Sequence, residues 1–576
     1  MLSNSLAVGA LASCYVLLLV LDLNPTLPLS PARLGPLVTT AGLFYAVHLT
    51  VIAYLVLVLR QVLARELFSP AWVSVNVLAW LGAAAALIGA VLIWANLQAF
   101  ALVLERTTMW LLAASAAVLL AASALFIITG LLRVHVGAGG RAMCAVLLAL
   151  TAVGSVAAPM ALRGRGISPL LDARPIGVDL DIAAPEREAR VTIVAIDAGS
   201  LNFITSATAE GRLPNFGRLL DVGAVMHVAT LHPTSADAVW AAVATGKLPQ
   251  KNGVRSGGVY RLPDGEALQL MPDFCFAHAL VRSGFVIEEP HTSAALKTRP
   301  LWSILSALGI PVGFIGWPLT YPASPVRGYL VSDTYRRMAA TPSGIDDPSA
   351  LYPADLQLET LGLLEAVGAE GAVGVATVEP VRPSQESQTL TDRAYDRIAR
   401  ALAVTRPAQV TGVRFQSLDA VGHYFLRYAL PSEFGDVTED ERRRFGRVLE
   451  QQYALIDDAL GRALTAVGAD DLLLVVSGYG MEPLSLGGRL LERLIGDPEI
   501  SGTHAAAPDG FLMAYGGAVA KGRSATRASV VDVVPTVLYF LGLPIGRDMD
   551  GYARTDLFRR SFTDARPITF IPTYDR

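Results

Sequence analysis

The sequence predicts an α/β domain, built on a mostly parallel sheet flanked by helices and preceded by a transmembrane region of five helices. Three observations lead there. Five uncharged apolar stretches crowd the first 162 residues, β-branched runs then alternate with longer helical patterns, and several of those runs end on groups capable of chemistry. Alternation of strand and helix favours parallel pairing, and an open parallel sheet presents the carboxyl ends of its strands to ligands.

The apolar stretches come first. The chain has 576 residues, 53% hydrophobic and 17% charged, with a mean hydropathy of +0.46, too apolar for an ordinary soluble protein. Residues 6–20, 37–59, 73–94, 109–132 and 142–162 are the spans expected from the ~20 apolar residues that a bilayer core demands. "LASC", ending at Cys14, has the form of a lipoprotein cleavage site. No Lys or Arg precedes it and the apolar run continues past it, so 6–20 is read as a span rather than a leader. Arg60 and Arg65 follow the second stretch and Arg133 and Arg141 the fourth, whereas the opposite side carries Arg33 and Arg106. The positive-inside rule then expects a cytoplasmic N-terminus and a periplasmic or extracellular remainder, as in an integral protein of a bacterial inner membrane. His48 lies inside the second span, where a hydrogen bond to a neighbouring helix competes with a proton- or substrate-handling role.

Residues 1–162 thus form the transmembrane region, and the Gly-, Pro- and Arg-rich stretch 163–190 is expected to be a linker. Residues 191–576 form the extracytoplasmic domain, with lid insertions near 257–297 and 336–388 where no strand pattern is seen. Of the three cysteines, Cys14, Cys144 and Cys275, only the last lies beyond the spans, which leaves no intradomain disulfide. A net charge of −4 offers no basic patch, so nucleic acid is excluded as a partner and the membrane is retained.

The strands follow in order. "VTIVAID" ends on Asp197, "VTGVRFQSLD" ends on Asp419 with His423 four residues on, Gly478 and Tyr479 follow "LLLVVS", and His504 sits in "SGTH". An Asp and a His at i, i+4 at the start of a helix face the same way, and a distant His completes a three-ligand metal site with an open position. D-x-x-x-H alone is a weak signal, since Asp419 as a helix cap and His423 packed on a loop would read the same.

Taken together, "VAIDAGS", "PTSADAVWAAVATGKLPQKNGV", "LWSILSALGIPVGFIGWPLTYPA", "SLDAVGHYF", "VVSGYGM" and "SGTHAAAPDGFLMAYG" resemble, in order, the alkaline phosphatase superfamily, in particular its type I phosphodiesterase/nucleotide pyrophosphatase branch, over 191–558. The resemblance implies two zinc-type ions side by side. Asp419, His423 and His504 match one site, and Asp197 matches the other. Where the family reads Ser-Asp-His-Gly-Met, this chain reads Ser477-Gly478-Tyr479-Gly480-Met481, so both ligands of that pair are replaced. The family's Ser/Thr nucleophile falls on Ala236, with Ser235 and Thr234 adjacent, and a His of the family is Asn252.

One zinc ion is therefore expected and a second is doubtful. Two-metal phosphoryl transfer needs both ions and a nucleophile. Ser235 is the remaining candidate nucleophile; in a single-ion route the metal held by Asp419, His423 and His504 would instead activate water directly, with Asp237 or Tyr479 assisting as base or hydrogen-bond donor. Two classes of function compete. One is a membrane-anchored phosphodiesterase-like hydrolase or phospho-group transferase acting on envelope phosphoesters. The other is a pseudoenzyme that binds or assembles with a protein partner in the cell envelope.

Overall fold

The computed structural model describes residues 1–64, 72–136, 140–164, 189–263, 265, 267–339, 347–374, 383–523 and 526–575. Arg65 and nearly all of the expected linker 163–190 lie outside them. Two compact units emerge: Met1–Pro175 with Arg255–Pro290, and Ile176–Val254 with His291–Arg576.

The first unit contains five helices long and apolar enough to cross a membrane: α1 (Leu2–Leu23), α2 (Leu34–Leu63), α3 (Val75–Ala99), α4 (Arg106–His135) and α5 (Arg141–Arg163). Each contains one of the expected spans or nearly all of it, as an integral membrane protein requires. Small residues set the helix approaches, as they do where no hydrophobic force separates helix from lipid. Gly82 lies against the Phe126 ring, and Gly89 against Leu119 and Tyr15. Hydroxyls bridge the helices: Ser115 donates to the buried Asp22 carboxylate at 2.7 Å, and Tyr15 and Ser155 pair at 2.8 Å. His48 departs from the interhelical bond expected of it. Its Nδ1 is 2.7 Å from the Phe44 carbonyl of its own helix, and the side chain is exposed.

Arg255–Pro290, expected as part of a lid on the α/β domain, packs in the structure with the helices. Tyr260, Leu262, Leu268, Met271, Cys275, Leu280 and Val286 share a core with Val16, Val20, Leu37, Ala41 and Tyr45. Periodicity gave no warning, because the segment's apolar residues were paired with a helix more than 200 positions earlier.

The second unit carries the sheet. Its main elements are β1 (Val191–Ile196), β2 (Ala224–Ala229), α6 (Ala236–Thr245), β3 (Val312–Ile315), β4 (Gly328–Val331), β5 (Leu351–Tyr352), α7 (Leu356–Gly374), α8 (Pro383–Thr405), β6 (Val410–Phe415), α9 (Ser417–Ala429), β7 (Leu472–Tyr479), β8 (Asp509–Tyr515), β9 (Gly522–Arg523) and β10 (Ala528–Ser529). The strand order is β9-β2-β8-β7-β1-β6-β3-β4-β5, with β10 also on β2. β7, β1, β6, β3 and β4 run parallel, and β8 is antiparallel to both neighbours. This is the α/β arrangement expected from the sequence, a mostly parallel sheet flanked by helices.

Alternate residues of β1 feed opposite cores. Val191, Ile193 and Ala195 join one and Val194 and Ile196 the other, which is why the strand is apolar without a break. The stretch 336–388 is not structureless among the described residues: the short edge strand β5 pairs with β4, and α7 and the start of α8 follow. Before β7 the chain forms two helices, Glu439–Phe445 and Val448–Ala466, parted at Gly446.

Candidate active site

The register of the three central strands brings the chemistry together. Ile196 lies opposite Ser477 on one side and Phe415 on the other, so β1, β7 and β6 end level. Asp197 therefore leaves β1 beside Arg414 of β6 and the end of β7. The turn beyond it is tight. Ala198 takes a left-handed φ of 54°, and the Gly199 N–H donates to Ser477 Oγ at 3.0 Å, whose own O–H donates to the Tyr479 carbonyl at 2.9 Å. Ser477 is a fastener between strand ends.

The β6–α9 junction is fixed from α8. Buried Asp392 accepts from the Gln416 and Ser417 N–H groups at 3.0 and 2.8 Å, and burial pushes its carboxyl up to about 7 against those hydrogen bonds. α9 then starts with Asp419 in its first turn and His423 one turn on. The His504 loop lies flush on α9: the Ser501 N–H donates to the His423 carbonyl at 2.7 Å, and a Cβ on Gly502 would stand 2.6 Å from the Gly422 carbonyl oxygen.

The result is a three-ligand cluster. His423 Nδ1–H donates to the Gly502 carbonyl at 2.9 Å, which turns the Nε2 lone pair toward Asp419. His423 Nε2 and His504 Nε2 each stand 3.8 Å from an Asp419 carboxylate oxygen, and one ligand atom from each residue lies within 4.8 Å of the others. Asp419 Oδ1 and His504 Nδ1 are buried without a hydrogen-bond partner. Two imidazoles and a carboxylate at this spacing, with such orphaned atoms, fit one divalent cation.

The other half of the site is filled differently. Buried Asp197 accepts from Trp240 Nε1 at 2.8 Å and from Arg414 Nε at 2.9 Å on one oxygen, and from Arg414 Nη2 on the other. This is a forked guanidinium–carboxylate pair. Burial disfavours charge on Arg414, but the charge and hydrogen bonds of Asp197 outweigh it and hold the guanidinium protonated. Asp333, beyond β4, adds a second carboxyl near Arg414.

Among the described residues, no second cluster of metal-ligating side chains surrounds Asp197. A Cβ on Gly478 would stand 2.4 Å from Val239 Cγ1, so α6 occupies the room a carboxylate would need there. Tyr479 is fully buried, its ring 5.2 Å from that of His504 and its hydroxyl without a hydrogen-bond partner. Burial, then the charges of Asp197 and Asp419, push its phenol well above the usual range and favour the protonated form. A second cation does not fit these residues.

Ser235 is the N-cap of α6, but its side chain makes no capping bond, and Oγ is buried without a partner. Ala236 begins the helix and Asp237 follows in its first turn, within electrostatic reach of Tyr479. Thr234 Oγ1 donates to the Leu231 carbonyl at 2.9 Å, and Asn252 holds its own turn through Lys247 and Val254. Sequence reasoning missed Arg414 and the part played by Trp240. A signal was present: a lone arginine inside the apolar run "VTGVRF", next in the sheet to a strand ending in Asp.

No curated protein matches this sequence. Among solved structures, murine ectonucleotide pyrophosphatase/phosphodiesterase 5, inactive and in complex with AMP, aligns at 12% identity over 64% of this chain and 100% of its own, with a TM-score of 0.38. A mutant of alkaline phosphatase PafA aligns at 12% identity over 66% of this chain and 100% of its own, with a TM-score of 0.41. The family model described as type I phosphodiesterase / nucleotide pyrophosphatase matches residues 191–530, a stretch that holds Asp197, Asp419, His423, Tyr479 and His504. The chain belongs to that metal-dependent family, within the alkaline phosphatase superfamily.

Proposed function

We propose that this protein is a membrane-anchored phosphoester-binding domain that holds one zinc-type ion and has lost the bimetallic hydrolysis of its family, acting as a pseudoenzyme in the cell envelope. One observation carries the reading: Asp197, which matches a ligand of the second ion, is engaged on both oxygens by Arg414 and Trp240. Asp419, His423 and His504 would hold the remaining ion, which supplies Lewis-acid polarisation of a phosphoryl oxygen when bound. Arg414 neutralises Asp197 and keeps an uncompensated carboxylate from repelling a phosphoester. Tyr479, protonated, is a hydrogen-bond donor facing the same space.

The arginine distribution supports an N-terminus in the cytoplasm and an α/β unit outside it, as in a bacterial inner-membrane protein, with an envelope phosphoester or an envelope protein as the partner. A second reading rests on the unpartnered Ser235 hydroxyl: a slow single-ion hydrolase or phospho-group transferase with Ser235 as nucleophile and Asp237 near it.

Metal analysis of the full chain in detergent, coupled to a screen of mono- and diester hydrolysis, tests both. One ion per chain and no turnover is the expected result. Turnover abolished by Ser235→Ala would establish the second reading, and two tightly held ions would overturn the first.

A further inference from the structure

The segment Arg255–Pro290 carries a feature that the phosphoester site leaves unused. Two of its stretches repeat one pattern: Phe274 and Phe276 point outward around buried Cys275, and Phe285 and Ile287 point outward around buried Val286. Phe274 and Phe276 are each 63% exposed. Both also hold left-handed backbone, with φ of 62° and 57°. Bulky side chains avoid that region, and such conformations persist only where the surroundings enforce them.

The enforcement comes from the helices. Asn96, near the end of α3, makes two bonds to Asp273: its Nδ2 donates to the carbonyl at 3.0 Å, and its Oδ1 accepts from the N–H at 2.7 Å. Tyr45 donates to the Cys275 carbonyl at 3.2 Å. Asn24, just past α1, bonds the backbone of Gln269 and Leu270.

The depth of this attachment is readable. α2 has 30 residues, about 45 Å at 1.5 Å per residue, so it exceeds a ~30 Å hydrocarbon core. The unbroken α-helical stretch Leu43–Leu63, 21 residues, is enough to span it. Phe44 and Tyr45 lie at the start of that stretch and about two turns past the start of the expected span 37–59, toward one end of the crossing. At that level the Phe285 ring lies 6.0 Å from the Phe44 ring, beside the exposed stripe Leu43, Val47 and Val51 that continues along α2. The four outward side chains form an exposed apolar surface beside that stripe, with the exposed Arg282, Ser283 and Glu288 next to Phe285 and Ile287, a mixture of rings and charges that suits the interfacial zone.

We propose that Arg255–Pro290 is a lipid-binding edge of the transmembrane unit, with Phe274, Phe276, Phe285 and Ile287 seated among the headgroups and upper acyl chains of one leaflet. Its ligand is bilayer lipid. Bonds from Asn24, Asn96 and Tyr45 hold the aromatic side chains at that depth.

The test uses the full chain with Cys14, Cys144 and Cys275 replaced by Ala, reconstituted in phosphatidylcholine/phosphatidylglycerol vesicles. Nitroxide labels are placed by Phe274→Cys, Phe276→Cys or, as a solvent reference on the α/β unit, Tyr552→Cys. Expected is greater accessibility to oxygen than to a water-soluble nickel chelate at 274 and 276, and the reverse at 552. Chelate accessibility at 274 and 276 equal to that at 552 would overturn the proposal, as would spin–spin broadening showing that a second copy covers the patch. To leave the loop itself unaltered, native Phe274 and Phe276 are read separately through photocrosslinking lipids: crosslinks mapped to 270–288 support the proposal, and crosslinks confined to α1–α5 refute it.

Discussion

The two halves of the candidate active site lie on the same three strand ends and meet opposite fates. Asp419, His423 and His504 present lone pairs toward one another with buried atoms left unpartnered, whereas Asp197 has both oxygens satisfied by protein donors. An unsatisfied cluster of donors awaits a cation. A carboxylate already paired with a guanidinium in a buried setting does not, because a metal would have to displace the fork and leave Arg414 charged and unpaired. The difference is that around Asp197 protein groups occupy the space themselves: Arg414 supplies a fixed positive charge, and Val239 fills the space beside Gly478.

The largest effect should come from breaking the half around Asp197. Arg414→Met strands the Asp197 carboxylate and is expected to cost about 3–5 kcal/mol in denaturant unfolding. Adding Asp197→Asn should recover much of it. A loss under about 1 kcal/mol would mean that the pair is not a structural element of this half.

Next is His423→Ala in the intact half. Bound zinc should fall from one per chain to none, with affinity reduced by more than the ~10–100-fold that losing an outer-shell partner costs. Equilibrium dialysis reads it, and folding should be unaffected, since His423 is only part-buried. Gly502→Ala is milder. Its methyl meets the Gly422 carbonyl, lifts the His504 loop off α9 and should weaken zinc binding on the order of tenfold, within the range for disturbed metal-site geometry.

The smallest effect is a pH dependence. The folded-state pKa of Asp392, about 7, lies above its ordinary value of 3.8, so the folded state binds its proton more tightly than the unfolded chain. Stability from this group is fully present below the ordinary carboxylate range and is lost as pH rises through about 7. From pH 6 to 8 the decline should be about 1 kcal/mol, and Asp392→Asn should remove it from thermal unfolding curves.

Much of this was readable in advance because it depends on local pattern. Charge-free lengths predicted five spans, and each is found within one helix or nearly so. The i, i+4 spacing of Asp419 and His423 put both on one face of α9, and the departure at Ser477–Met481 was visible as letters. Arg414 was not read correctly, because its meaning depends on β6 pairing with β1 in the register that sets Arg414 opposite Ala195. Nor was the placement of 255–290, most of the stretch 257–297 expected as a lid, since its apolar side matches helices far away in the chain.

The amino-acid sequence alone determined where the chain can enter lipid, that a mostly parallel sheet follows, and that Asp419 and His423 share a helix face while the turn after Ser477 reads Gly-Tyr-Gly-Met. These follow from side-chain chemistry and short-range periodicity. Only the tertiary structure decided what stands beside Asp197 and Gly478 and which unit owns the 255–290 segment. Both depend on contacts between residues distant along the chain, where strand register and close packing set which neighbour a side chain meets.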